Sequence, residues 1–199
     1  MKTGLSVQAA AAEEPVTLTE LKAHMKVTSS AEDDYITALG KAARAYIEDV
    51  TGRVALTTTF DASWDAFPVG YRTLELPRSR LQSVTHLKYY DTAGVLQTLD
   101  SSQYIVVIDS EPGFIFLRAA YYWPSTEVRP GAVQVRFAAG WAAAAADLTA
   151  AHEGFKLAIK FLVHHWHSLR APVAVGNITA NIPDNFDLLL QQFRVYDLQ

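Results

Sequence analysis

The spacing of hydrophobic positions changes twice along the chain. From about Pro15 to Arg53 it is helical, from about Val54 to Gly140 strand-like, and from about residue 147 to the end helical again. In the first part, Thr17 and Glu20 form a capping box ahead of a short helix, LTELKAHM. Ser30 and the acidic trio Glu32, Asp33 and Asp34 open a second, longer helix, because carboxylates suit the positive end of the helix dipole. Projected at about 100° per residue, Ile36, Leu39, Ala43, Tyr46, Ile47 and Val50 share one arc, with Asp34, Lys41, Arg44 and Glu48 opposite. Gly52 supplies the stop.

The middle part alternates with a period of two. In AVQVRFAA, Val133, Val135 and Phe137 share one face, and Gln134 and Arg136 the other. YIVVI (104–108) and FIFL (114–117) are β-prone runs, and LKYY and VLQTL flank the turn Asp91-Thr92-Ala93-Gly94 as a hairpin. The third part predicts a helix from about Thr149 to Leu169, a short strand-like NITA, and a last helix with Pro183 at its first position. The expected fold class is α+β: about four helices forming a helical core, with a large strand-rich insertion between the N- and C-terminal helical parts. Residues 15–199 read as a single domain (15–53 helical, 54–140 β, 147–199 helical). Residues 1–14, with too weak an apolar run for a signal peptide, read as a mobile tail on an intracellular protein.

Composition narrows the possible chemistry. Half of the 199 residues are hydrophobic, and the formal net charge is -4. A tight nucleic-acid binder carries a basic face, so this balance disfavours one, while a protein that lets DNA slide past is compatible with it. The absence of cysteine excludes disulfides, thiolate zinc sites and cysteine nucleophiles. No apolar run reaches the length that spans a membrane.

Candidate chemistry centres on FKLAIKFLVHHWHSLR, residues 155–170. On a helix, Phe155, Ala158, Ile159, Leu162, Val163, Trp166 and Leu169 form one apolar arc. His164 and His167 lie about 60° apart on the other side with Lys156, Lys160 and Ser168, and His165 at the border. An i,i+3 histidine pair can chelate a metal, but two ammonium groups share this face, and no cysteine or evident carboxylate does. A core helix with histidines on its solvated rim is the favoured reading. A metal-dependent hydrolase using His152, His164 and His167 is the alternative, and a cytosolic binding module a third. His152-Glu153 opens like the HExxH motif, but Lys156 stands where the second ligand must be. No two of the ten glycines are two, four or five positions apart, so GxGxxG, GxSxG and Walker loops are all absent. A triad assembled from distant positions stays open, but no residue pattern points to one. No catalytic residue, metal ligand or cofactor is assigned.

Two features read as contact surface. Tyr121, Tyr122 and Trp123 precede Pro124 in a loop-like stretch and suit either an edge of the β core or an interface anchor. The last helix carries Phe186, Leu189, Leu190 and Phe193 at i, i+3, i+4 and i+7; its face must dock either on its own body or on a neighbouring subunit or partner.

The order EEPVTLTELKAHMKV, AEDDYITALGKAARAYIEDVTGR, LPRSRLQSVTHLKYYD, RPGAVQVRFAAGW and IKFLVHHWHSLR resembles the head–tail connector (adaptor, head-completion) proteins of tailed bacteriophages and gene transfer agents, from about Glu13 to the end. The resemblance implies a virion structural protein at the head–tail junction, assembled in the host bacterial cytoplasm. Many copies, commonly twelve, would form a ring that joins the portal protein to a stopper or tail-completion protein. DNA would pass through the channel without specific binding. In such families the C-terminal segment tends to contact the portal, which falls here on Phe186, Leu189, Leu190, Phe193 and Tyr196. Ring formation is head-to-tail and needs two unlike faces, for which Lys41, Arg44 and Glu48 are further candidates. The sequence departs from the family pattern at AAAAADLTAAHEG, where a proline-containing lead-in to the penultimate helix is usual.

Overall fold

The computed structural model describes residues 3–148, 152–169 and 184–195. Four helices and eight strands form within these segments, giving the α+β class expected from the change of period. The chain divides into two compact units. The helical unit comprises 12–55 and, beyond residue 141, the described part of the C-terminal region; the sheet unit comprises 3–11 and 56–141.

In the helical unit, α1 (Leu18–Met25) starts on the expected capping box. The Thr17 hydroxyl accepts from the Glu20 N–H at 3.2 Å, and the Glu20 carboxylate accepts from the Thr17 N–H at 2.9 Å. α2 (Asp33–Thr51) begins three residues later than Ser30, with Glu32 at the N-cap, and in the turn before it the Ser29 hydroxyl accepts from the Ala31 N–H. It ends at Gly52, whose positive φ is the left-handed C-cap conformation that glycine adopts without Cβ strain. The buried stripe of α2 is Ile36, Gly40, Ala43, Ile47 and Thr51. It is narrower than the expected arc: Leu39 and Val50 are half-buried, and Tyr46 is exposed, edge-on to Trp166. Gly40 lies within the stripe where Leu21 of α1 approaches: a Cβ there would come within 3.0 Å of the Leu21 side chain.

α3 (Glu153–Ser168) buries Phe155, Ala158, Ile159, Leu162 and Val163, most of the predicted arc, and packs on α2. α4 (Asp184–Gln191) packs on α3 and α2. Pro183 and NITA lie outside the described residues.

In the sheet unit, residues 3–9, expected within a mobile tail, form strand β1 (Thr3–Ala9), antiparallel to β2 (Thr58–Trp64). Main-chain hydrogen bonding to β2 supplies the order that the side chains, nearly all exposed, do not. A five-stranded antiparallel sheet runs β1-β2-β8-β4-β5, with β4 Leu81–Tyr90, β5 Leu96–Thr98 and β8 Val133–Ala139. Its inner face carries Phe60 stacked on Phe137 at 5.5 Å, with Val133 and Val135 buried as the alternation predicts. A three-stranded sheet runs β3-β7-β6, with β3 Thr73–Glu75, β6 Tyr104–Val107 and β7 Phe114–Leu117. The predicted DTAG hairpin joins β4 to β5: the Asp91 carboxylate accepts from the Ala93 and Val95 N–H groups, and Gly94 takes the positive φ that the turn needs.

Candidate functional site

The histidine-bearing face of α3 meets carboxylates that its own sequence does not supply. Lys156 and Lys160 reach Glu20 of α1 at 3.1 and 3.4 Å, and His167 Nε2 lies 2.8 Å from Glu32 at the start of α2. Part of this face is therefore an internal ion-pair seam, and only His164 among the three histidines is exposed. His164 sits edge-on to His24 of α1 at 5.9 Å, and His24 is edge-on to Phe161 at 5.5 Å. Burial, then the positive charges of His164 and Lys160, hold the His24 pKa below its ordinary value. Burial pushes Glu20 upward, but hydrogen bonds from Thr17 and Lys156 outweigh it and hold the carboxyl at about 2.

A three-histidine metal centre does not fit this layout. His152 is the N-cap of α3, so it stands about 18 Å along the helix from His164. Among the described residues no group of three histidine, aspartate or glutamate side chains is placed to hold a metal.

A groove on the outer face of the five-stranded sheet brings Ser6, Asp61, Ser63 and His86 together. These residue types could form a hydrolytic triad, but their contacts do not. Both Asp61 oxygens accept from the Arg136 guanidinium, at 2.7 and 2.8 Å, so the aspartate does not orient the imidazole. His86 forms no hydrogen bond to either serine among the described residues, and burial, then Lys88 and Arg136, hold its pKa below the ordinary value.

The contact candidates sort by their surroundings. Phe186 and Leu190 of α4 are buried, Leu189 is half-buried, and Phe193 lies edge-on to Phe155 at 5.8 Å. The Phe193 carbonyl accepts from Arg53 Nε at 2.6 Å, and the Val195 N–H donates to the Thr51 carbonyl. The last helix thus docks on its own body. Tyr196 lies outside the described residues. Arg44 bridges Glu14 and Glu48 at 2.6 and 2.7 Å, and Glu48 also accepts from the Ala55 N–H, so both are held internally while Lys41 is exposed.

Within YYW the three aromatics part company. Trp123 stacks on Phe67 at 4.7 Å and donates from Nε1 to the Tyr71 carbonyl, while Tyr122 is 84% exposed. Tyr122 and Trp123 line a groove of about 590 Å³ whose other wall is the segment Ala66–Arg72, including the exposed Val69 and Tyr71. The sequence reading missed that second wall. Its signal is an apolar pair set between turn formers in PVGY, which no regular element would bury. The reading also missed the outer face of β6 and β7, where FIFL is apolar at every position although a half-covered strand should alternate.

The described residues form packed helices, two antiparallel sheets and exposed apolar surface, and no catalytic constellation is assembled among them. Residues 15–94 match the family described as phage gp6-like head–tail connector protein, the family that the segment order resembles. No curated protein sequence matches the chain. Solved chains share its fold over nearly their whole length. One, from the virion of a native gene transfer agent particle, is 22% identical with a TM-score of 0.76. Two come from necks of such particles: an empty one computed with C6 symmetry (21%, 0.78) and a native one computed with C12 symmetry (20%, 0.73). Each match covers 98% of this chain and 97% of the other.

Proposed function

We propose that this chain is a non-enzymatic structural protein of the neck of a phage-like particle. It would be an adaptor that forms a ring around the DNA channel and joins the portal protein to the stopper or tail-completion protein. The observation that carries the reading is the fold shared with neck chains over 98% of this chain, together with the connector-family match over residues 15–94. The C6 and C12 symmetry of those neck structures supports a ring. Assembly in the bacterial cytoplasm before incorporation at the head–tail junction follows from the same reading. The metal-hydrolase alternative loses its support because its three histidines are spread along α3.

The C-terminal segment is the proposed portal contact. Because Phe186 and Leu190 are buried against the chain's own helices, that contact requires α4 to exchange its intramolecular seat for the portal, or to present its half-buried side and the residues after it. Electron microscopy of the chain mixed with the portal protein encoded near it tests both claims, with a truncation after Ala171 as control. A ring on the portal that is lost on truncation supports adaptor and contact together. A ring that survives keeps the adaptor and moves the contact. No association in any oligomeric state rejects the adaptor reading.

A further inference from the structure

Two apolar surfaces of the sheet unit are left uncovered by the described residues. The first is the groove between 66–72 and 122–126, with Val69 90% and Tyr71 72% exposed and Tyr122 at its rim. The second is the outer face of the three-stranded sheet. There Ile105 pairs with Phe116 and Val107 with Phe114, while Tyr104, Ile115 and Leu117 are buried on the inner face. Ile105 and Ile108 are each more than 40% exposed, and Phe114 and Phe116 are half-covered. Adjacent exposed apolar side chains of this kind mark interaction sites.

The rims of the two surfaces carry opposite charge. Beside the groove, Arg72 donates only to the main-chain carbonyls of Leu117, Arg118 and Tyr121, so its charge meets no carboxylate among the described residues. Arg118 next to it is exposed. The acids nearby are engaged: Asp65 accepts from the Gly131 N–H, and Glu127 pairs with Arg129. Beside the sheet face, Glu75 flanks Phe114 in register and Asp109 follows Ile108, both exposed.

We propose that the groove receives the β6–β7 face of a second copy of this chain, giving a head-to-tail contact between neighbours. A closed ring needs two unlike, complementary faces on every subunit, and the sheet unit supplies an apolar groove with a cationic rim and an apolar face with an anionic one. Apolar contact supplies the affinity, and the opposed rims fix the register and speed the encounter. The inference rests on the ring reading above and assigns its contact surfaces.

The test uses full-length chains carrying Tyr122→Asp in the groove or Ile105→Lys on the face, alone and mixed, with folding checked by thermal melting. Self-association is measured by analytical ultracentrifugation and, on the portal protein, by electron microscopy. Each variant alone is expected to self-associate roughly 30-fold or more weakly than the parent. Their equimolar mixture is expected to stop at a 1:1 dimer, because one intact groove still meets one intact face. Rings formed normally by both variants overturn the inference while leaving the neck reading intact. So does a Tyr122→Asp chain that keeps its copy–copy contacts and loses a different neck protein. Parent chains that bind the portal singly also overturn it, and parent chains that neither associate nor bind the portal overturn both.

Discussion

Glu20 ties the start of α1 to α3. One oxygen accepts from the Thr17 N–H and hydroxyl, closing the start of α1, and the other meets Lys156 and Lys160 of α3. With its folded pKa at about 2 against an ordinary 4.5, the charged form stabilises the fold above about pH 4.5. That contribution is lost as the pH falls toward 2. The side chain is 33% exposed, and solvent screening reduces the effect to about 1–2 kcal/mol. Glu20→Gln keeps the cap geometry and removes only the charge. It should lower stability by about 1–2 kcal/mol at pH 7, with the gap from the parent closing by about pH 2–3 in denaturant titrations. The neighbouring tyrosine and tryptophan behave differently from each other. Trp123→Ala breaks the Phe67 stack and should cost about 2 kcal/mol, whereas Tyr122→Ser should stay within about 0.5 kcal/mol in the same titrations.

At the scale of elements, legibility followed locality. The capping box, the glycine stop of α2, the DTAG hairpin and the alternation of β8 are each written within a few residues, and each forms as read. Strand β1 was missed although LSVQA alternates: the run is short, its side chains are exposed on both faces, and the β2 partner that makes it a strand lies about 50 residues or more away in sequence. The carboxylates facing the α3 lysines were illegible for a similar reason: Glu20 lies 136 residues from Lys156 in sequence. At the candidate surface, the YYW cluster was visible, but its division into a packed Trp123 and a free Tyr122 depends on Phe67 and Tyr71. Gly140 shows how tightly one junction is set. At φ 150° its missing Cβ would lie 2.6 Å from the Thr57 nitrogen, so Gly140→Ala should destabilise the sheet unit by about 3 kcal/mol or more, read as a lowered melting midpoint. The last helix makes an opposite kind of prediction. Phe186→Ala should cost about 3 kcal/mol in the isolated chain, because its ring is buried there, whether or not a portal is present.

For the whole molecule, the arrangement of charge matters more than its sum. In the helical unit Lys22 pairs with Asp33, Arg44 with Glu14 and Glu48, and Lys156 and Lys160 with Glu20. In the sheet unit Arg136 pairs with Asp61, Arg80 with Glu111, and Arg129 with Glu127. A cation already facing a carboxylate releases few counterions on meeting a phosphate, so it adds little to nucleic-acid affinity. With a net charge of -4 besides, the chain should slide on DNA rather than grip it, which suits the wall of a channel. Fluorescence anisotropy with a labelled duplex should therefore detect no binding tighter than about 10⁻⁴ M at 150 mM salt, and only a shallow dependence of affinity on salt below that. A steep salt slope, equivalent to several neutralised phosphates, would instead mean that Arg72 and Arg118 of the sheet unit meet phosphate. The opposed-rim contact between copies would then lose its cationic half, because the same arginines cannot serve DNA and a neighbour's Glu75 and Asp109 at once.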